Sequence, residues 1–293
     1  MIADQRAVLV IGAAGHQGSA AVRQLRARGF PVRALLEDSG NDATRAAQEL
    51  GAWPVFADPT DDAALERAFD GVGTVVMVLD DPRAGPARRL HEGKAVAAAA
   101  ARAGVGHIVY SAATGPDHHN VSCDLSREIE RHMRGLDLPL TVLRPVNVME
   151  EIPWYWLSRL GGTPVLATPF LPHTPLPLIS IDDVGGVAAA AVANPHHFAG
   201  RDFDVAGDVV SVAELAELLG DSLGERVAHI EVQVEGVFIY QEAVTPPHDM
   251  EWLRHMHPGL HTVSSWLEHG GGLELCRRAV TPGRAVGAGA AVA

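Results

Sequence analysis

Lysine is almost missing from this chain. Of its 23 lysines and arginines one, Lys94, is lysine, so an ammonium group can stand at a single place. Cysteine is scarce too, with Cys123 and Cys276 the only two. Two distant thiols give neither a disulfide framework nor a metal-spaced set, and they read as the reduced thiols of a cytoplasmic protein. Aromatic residues make up 5% of the chain while hydrophobic residues reach 47%, so alanine and valine must fill much of the core. Positive charge is in deficit. A formal net charge of −13 repels a phosphate backbone. No basic patch offsets it, since Arg88-Arg89 and Arg277-Arg278 read as isolated, solvated pairs. A nucleic-acid partner is excluded on that ground. No apolar run approaches the roughly 18 residues of a membrane span. The start, with Asp4 ahead of a strand, carries no signal-peptide pattern. No membrane partner is expected.

What the chain does have is glycine in the right places. Val8-Leu9-Val10-Ile11 runs into Gly12-Ala13-Ala14-Gly15-His16-Gln17-Gly18, and a helical pattern follows through Ala20, Val22 and Leu25. The order is strand, tight turn, helix. Gly12 lets the chain leave the strand sharply, Gly15 lets backbone approach a pyrophosphate, and Gly18 lets the helix close on the sheet. Phosphates then face free N–H groups at the positive end of the helix dipole. Ala14, His16 and Gln17 complete this candidate dinucleotide cradle; a purely steric turn is the alternative reading.

Beyond it, strand and helix patterns alternate. Strands are expected at 31–36, 53–56, 75–79, 108–111 and 140–143, with helices at 42–50, 61–69, 88–103 and 124–134. Such alternation implies an α/β fold with a doubly wound parallel sheet, whose ligand crevice lies at the carboxyl ends of the strands. That places Asp58, Pro59, Val78, Leu79, Ser111 and Pro145 beside a cofactor. From Val146 onward the pattern changes, and Pro153-Trp154-Tyr155-Trp156 and the stretch 169–177 are rich in proline or aromatics. Residues 1–150 read as the nucleotide domain and 151–278 as a smaller substrate-side lobe with interleaved elements. Residues 279–293, rich in glycine and alanine, read as a loose tail.

The G-A-A-G-H-Q-G turn resembles the G-A-T-G-x-Q-G of the NmrA-like branch of the atypical short-chain dehydrogenases/reductases. Further likenesses are Ala57-Asp58, Glu92-Gly93-Lys94, His107-Ile108-Val109-Tyr110-Ser111 and Leu143-Arg144-Pro145. They continue in Ile179-Ser180-Ile181-Asp182-Asp183-Val184-Gly185, Phe198-Ala199-Gly200 and Ser211-Val212-Ala213-Glu214-Leu215. The resemblance covers residues 7–270 and implies a Rossmann-type domain carrying NAD or NADP. The branch holds both reductases of small molecules and redox sensors without turnover, so fold alone does not choose between them. At the end of the second strand, Leu35-Leu36-Glu37-Asp38 places a carboxylate where many relatives carry a base. Glu37 can accept from the ribose hydroxyls of NAD and repels a 2′-phosphate, so NAD is expected in preference to NADP. The alternatives are that Glu37 merely opens a solvated turn, or that Arg33 swings toward a phosphate.

Ordinary members of the superfamily move a proton with Tyr-x-x-x-Lys. Here Tyr110, Tyr155 and Tyr240 have no lysine four residues on, and the matching helix carries Ser122 and Ser126 at the two positions. The relay is absent. Arg127 is a neighbour on the wrong helix face. Tyr155 with Arg159 imitates the spacing only, and Tyr155 reads as a pocket residue that can stand in. His118 and His119, in the loop after the fifth strand, are the candidate proton donors, because imidazole titrates near neutrality. Ser111 is a candidate cofactor or catalytic contact. Trp154, Tyr155, Trp156 and Phe170 can wall a flat apolar pocket or simply pack the lobe. His255-Met256-His257 with His261 lacks a companion acid motif, and no metal is expected.

Three classes of function follow. The first is an oxidoreductase acting on a small, flat, apolar carbonyl, quinone or enone of the kind met in secondary metabolism. The second is a dinucleotide sensor without turnover. The third is a lyase, dehydratase or cyclase that keeps the cofactor as scaffold. The partner is a small molecule, and the protein is expected to be a monomer or homodimer.

Overall fold

The computed structural model describes residues 6–37, 39, 42–79, 85–113, 121–233 and 249–281. Two compact units emerge. One runs to Pro145 and takes back Val184–Asp204; the other holds Val146–Asp183 and the chain from Val205 onward.

The first unit is built by alternation: β1 (Ala7–Ile11), α1 (His16–Ala27), β2 (Val32–Leu36), α2 (Asp42–Glu49), β3 (Trp53–Phe56), α3 (Asp62–Ala68), β4 (Val72–Val78), α4 (Pro86–Arg102), β5 (His107–Ser111), α5 (Val121–Arg134) and β6 (Leu140–Pro145). The expected elements are all present, with ends shifted by a few residues. β4 begins three residues earlier than its apolar run suggests, and α5 begins at Val121. Asp61, expected inside a helix, instead caps α3 and accepts from the N–H groups of Ala63 and Ala64.

The chain then crosses to the second unit through β7 (Asn147–Val148), a π-helical turn Ile152–Trp156, β8 (Leu157–Leu160), β9 (Thr163–Thr168) and β10 (Pro175–Ile179). It passes back along α6 (Ile181–Ala193) to α7 (Pro195–Phe198) and β11 (Asp202–Val205). It ends with β12 (Asp208–Ser211), α8 (Val212–Leu223), β13 (Ala228–Glu231), α9 (Met250–Met256), α10 (Val263–Glu268) and α11 (Gly272–Ala279).

The main sheet has seven strands in the order β11-β6-β5-β4-β1-β2-β3. Every pairing from β6 to β3 is parallel. Parallel strands covered on both faces must be apolar throughout, and Val8, Leu9, Val10, Val75, Val76, Ile108 and Val109 are accordingly buried. The chain moves outward from β1 to β3, then returns to place β4 on the other side of β1. That reversal opens a crevice above the carboxyl end of β1. Close helix contact depends on small residues. A Cβ on Gly185 of α6 would lie 2.5 Å from the backbone carbon of Ala20 in α1.

The second unit carries two three-stranded sheets, β12-β10-β7 and β13-β9-β8. Leu166, Leu176, Leu178, Leu215, Leu219 and Trp266 pack its core. Each leucine so buried contributes roughly 1.5–3 kcal/mol. Helix α8 begins with a full capping box, Ser211 and Glu214 bonding each other's backbone, and ends at left-handed Gly224. No helix among the described residues is long and apolar enough to cross a membrane.

Candidate functional site

The turn after β1 can be made only with glycine. Gly12 has φ +73°, and a Cβ there would lie 2.3 Å from the Val78 carbonyl oxygen at the end of β4. A Cβ on Gly18 would lie 2.0 Å from the Gly12 oxygen. Gly15 bonds back to Gly12 at 2.9 Å and starts α1 without a side-chain cap. Ala14 and His16 are exposed beside it. The result is a shallow cradle of bare backbone against a helix start, suited to a pyrophosphate.

Because each helix of this unit starts where its strand ends, the first turns of α1, α4 and α5 all border the carboxyl edge of the sheet. Toward β2, Glu37 accepts from Arg88 Nη2 at 2.6 Å, and Arg88 Nε donates to Glu92. Glu92 is buried, whereas Arg88 and Glu37 are about half exposed. Asp58 accepts from the backbone N–H of Thr60 at 2.8 Å and from its hydroxyl at 2.7 Å. These bonds hold its carboxyl below the usual range, with Arg88 and His91 adding favourable charge. Pro59 beside it is buried. Arg33 donates to the carbonyl of Asp70, which precedes β4 at the opposite edge. In this structure its guanidinium is turned away from the end of β2 where the ribose is expected.

Toward β5, Ser111 donates to Gln17 Oε1 at 2.7 Å. Arg89 Nη2 donates to Ser122 Oγ at 3.2 Å. Ser126 accepts from the Ala113 N–H and bonds the phenol of buried Tyr110. The two serines at the relay positions are thus held in hydrogen bonds. Lys94 pairs with Glu128 of α5 at 2.6 Å, and Gly93 lets α4 close on Ile129. Arg127 sits within 3.6 Å of Asp124 on the same helix. Val78 is buried at the end of β4, and Leu79 packs on the core that holds Val75 and Met77; Pro145 ends β6 half-buried. Arg88 and Arg89 are not the solvated pair expected from sequence. They open α4 and diverge, one to Glu37 and the other to Ser122. Two adjacent arginines gave no spacing signal; only their place in the first turn after β4 does. His118 and His119 lie outside the described residues.

In the second unit the aromatic cluster divides. Trp156 and Phe170 meet edge to face at 6.3 Å and pack on the core, while Trp154 and Tyr155 stay exposed, also 6.3 Å apart. Arg159 bonds the Val280 and Gly162 carbonyls and pairs with Glu225, so its spacing from Tyr155 is coincidental. Burial, with repulsion from Glu150, pushes Glu151 up to about 7. His257 and His261 both turn to buried Asp183, at 3.3 and 3.0 Å. Burial raises the Asp183 carboxyl, but bonds from His257, the His261 N–H and Ser180 outweigh it and hold the group low. This is a structural knot. Among the described residues no group of three or more histidines, cysteines or carboxylates is placed to hold a metal ion, and both cysteines are free and buried.

A parallel sheet with a glycine turn at its switch point defines a Rossmann-type protein. The NmrA-like family matches residues 4–261, and the chain belongs to that family. A (4-alkanoyl-5-oxo-2,5-dihydrofuran-3-yl)methyl phosphate reductase of Streptomyces griseus subsp. griseus is 31% identical over 82% of this chain and 82% of its own. Two solved structures share the fold at lower identity. NmrA, a negative transcriptional regulator in complex with NAD, is 19% identical with a TM-score of 0.78, covering 95% of this chain and 99% of that one. Citrobacter sp. triphenylmethane reductase complexed with NADP(H) is 17% identical with a TM-score of 0.73, covering 94% and 100%.

Proposed function

We propose that this protein is a nicotinamide-dinucleotide-dependent oxidoreductase that reduces a small, flat, conjugated carbonyl compound, with NAD preferred over NADP. The observation that carries the reading is the glycine cradle. Backbone lies so close at Gly12 and Gly18 that no side chain fits, and α1 starts uncapped toward it. The Streptomyces relative supports the reaction class, since its name describes a ring double bond conjugated to carbonyl groups. Bound dinucleotide supplies the hydride. The chain's own residues hold the pyrophosphate with the backbone of residues 12–18 and the ribose with Glu37. Ser111, fixed by Gln17, presents its hydroxyl at the end of β5.

The missing relay fits the substrate class. Reducing an isolated ketone leaves a strongly basic oxygen that needs a dedicated acid. Reducing a conjugated carbonyl leaves charge spread over oxygen and carbon, which a weaker acid or water can satisfy. His118 or His119 is the proposed donor. A second reading, a dinucleotide sensor without turnover, draws on the same absence, because Lys94 is spent on Glu128 and Ser122 and Ser126 are already bonded. Oxidation of NADH and NADPH against butenolides, enones, quinones and isolated ketones separates the two. Turnover confined to the conjugated compounds supports the oxidoreductase; tight binding with no turnover supports the sensor.

A further inference from the structure

We infer that Arg88 is the specificity-determining cation of the ribose end, an arm that pairs with Glu37 when NAD is bound and with the 2′-phosphate when NADP is bound. The inference rests on the dinucleotide reading and adds to it a residue from α4, outside the glycine turn and β2. Glu37 directly follows β2, the strand beside β1, where the fold brings the adenosine ribose. An acid alone at that point rejects a 2′-phosphate. Here it is not alone, since Arg88 Nη2 lies 2.6 Å from its carboxylate.

Two features let Arg88 exchange its outer partner while staying in place. Its Nε is braced by Glu92, whose side chain is 10% exposed, so the guanidinium stays in place without Glu37. The Arg88 and Glu37 side chains are open to solvent, at 47% and 56% exposure. An ion pair that exposed is worth little, so a phosphate competes for the guanidinium at small cost. The phosphate offers a stronger, charge-assisted partner with fork geometry matched to arginine. Glu37 must then turn away, and its residual repulsion keeps NAD ahead. Asp58, a third acid near Arg88 among the described residues, is held by Thr60 and does not compete for direct pairing.

The test is equilibrium binding of NADH, NADPH and adenosine 2′,5′-bisphosphate to the full chain and its variants. The wild type should bind both dinucleotides, with NADH tighter. Arg88→Ala should lose NADPH and the bisphosphate by about five- to thirtyfold while NADH changes by no more than about twofold. Arg88→Lys should keep part of the NADPH affinity, and Glu37→Gln should reverse the preference. The last two keep most of the side chain and carry the test should Arg88→Ala fold poorly. Equal losses of NADH and NADPH in Arg88→Ala, or an unchanged ratio in all variants, would overturn the inference. Binding is the only readout, so lack of turnover counts against the oxidoreductase reading alone. A wild type that binds neither dinucleotide overturns both.

Discussion

Ser111, the last residue of β5, donates its hydroxyl to the side-chain oxygen of Gln17 in the first turn of α1, at 2.7 Å. Two elements separated by most of the nucleotide fold are thereby tied at the carboxyl edge, beside the turn that would carry the phosphates. Ser111→Ala should cost about 1 kcal/mol of stability, the net worth of one hydrogen bond. It should also raise the Michaelis constant for cofactor more than it lowers turnover. Thermal melts and steady-state kinetics read the two effects; an unchanged cofactor constant would remove Ser111 from the site.

Gly15→Val should abolish dinucleotide binding in a folded protein. The branched side chain would project from the start of α1 into the space a pyrophosphate needs. Calorimetric titration checks it, with circular dichroism as the folding control. Full affinity in the variant would reduce the cradle to a steric turn.

Much of this unit was readable because its physics is local. The apolar runs of β1, β2 and β5 are buried on both faces, and Gly12 and Gly18 sit where backbone contact forbids a Cβ. The strand β11 was not readable. Its four residues, Asp202–Val205, have no long apolar run and follow a detour through another unit. The Arg88–Glu37 pair was hidden for a related reason: 51 residues separate partners that only the sheet order brings together. The aromatic cluster looked uniform in sequence, yet the π-helical turn sends Trp156 inward and leaves Tyr155 outside.

His118 and His119 should separate on mutation. One alanine variant should lose turnover by roughly 10²–10⁴-fold while cofactor affinity holds, the usual worth of a general acid. The pH–rate profile should lose a limb near the ordinary imidazole value of about 6.5. Full activity in both variants would assign the proton to water.

Glu151 should make the protein less stable as pH rises. Its carboxyl keeps its proton to about 7 in the folded state and releases it near 4.5 when unfolded. Between those values the folded state binds more protons, so stability falls with increasing pH and levels off above about 7. Glu151→Gln should match wild type near pH 4 and exceed it above pH 7 by about 1–3 kcal/mol. Denaturant melts at the two pH values decide it; equal pH slopes would show that Glu151 titrates normally.

The most direct test of the proposed activity is isotope transfer. NADH carrying deuterium at the reactive nicotinamide carbon should be incubated with the protein and a conjugated butenolide or enone, and the product examined by NMR. The proposed function predicts label at the carbon β to the carbonyl, in one stereochemical sense. Saturable NADH binding with no label in any product would contradict it and leave a sensor.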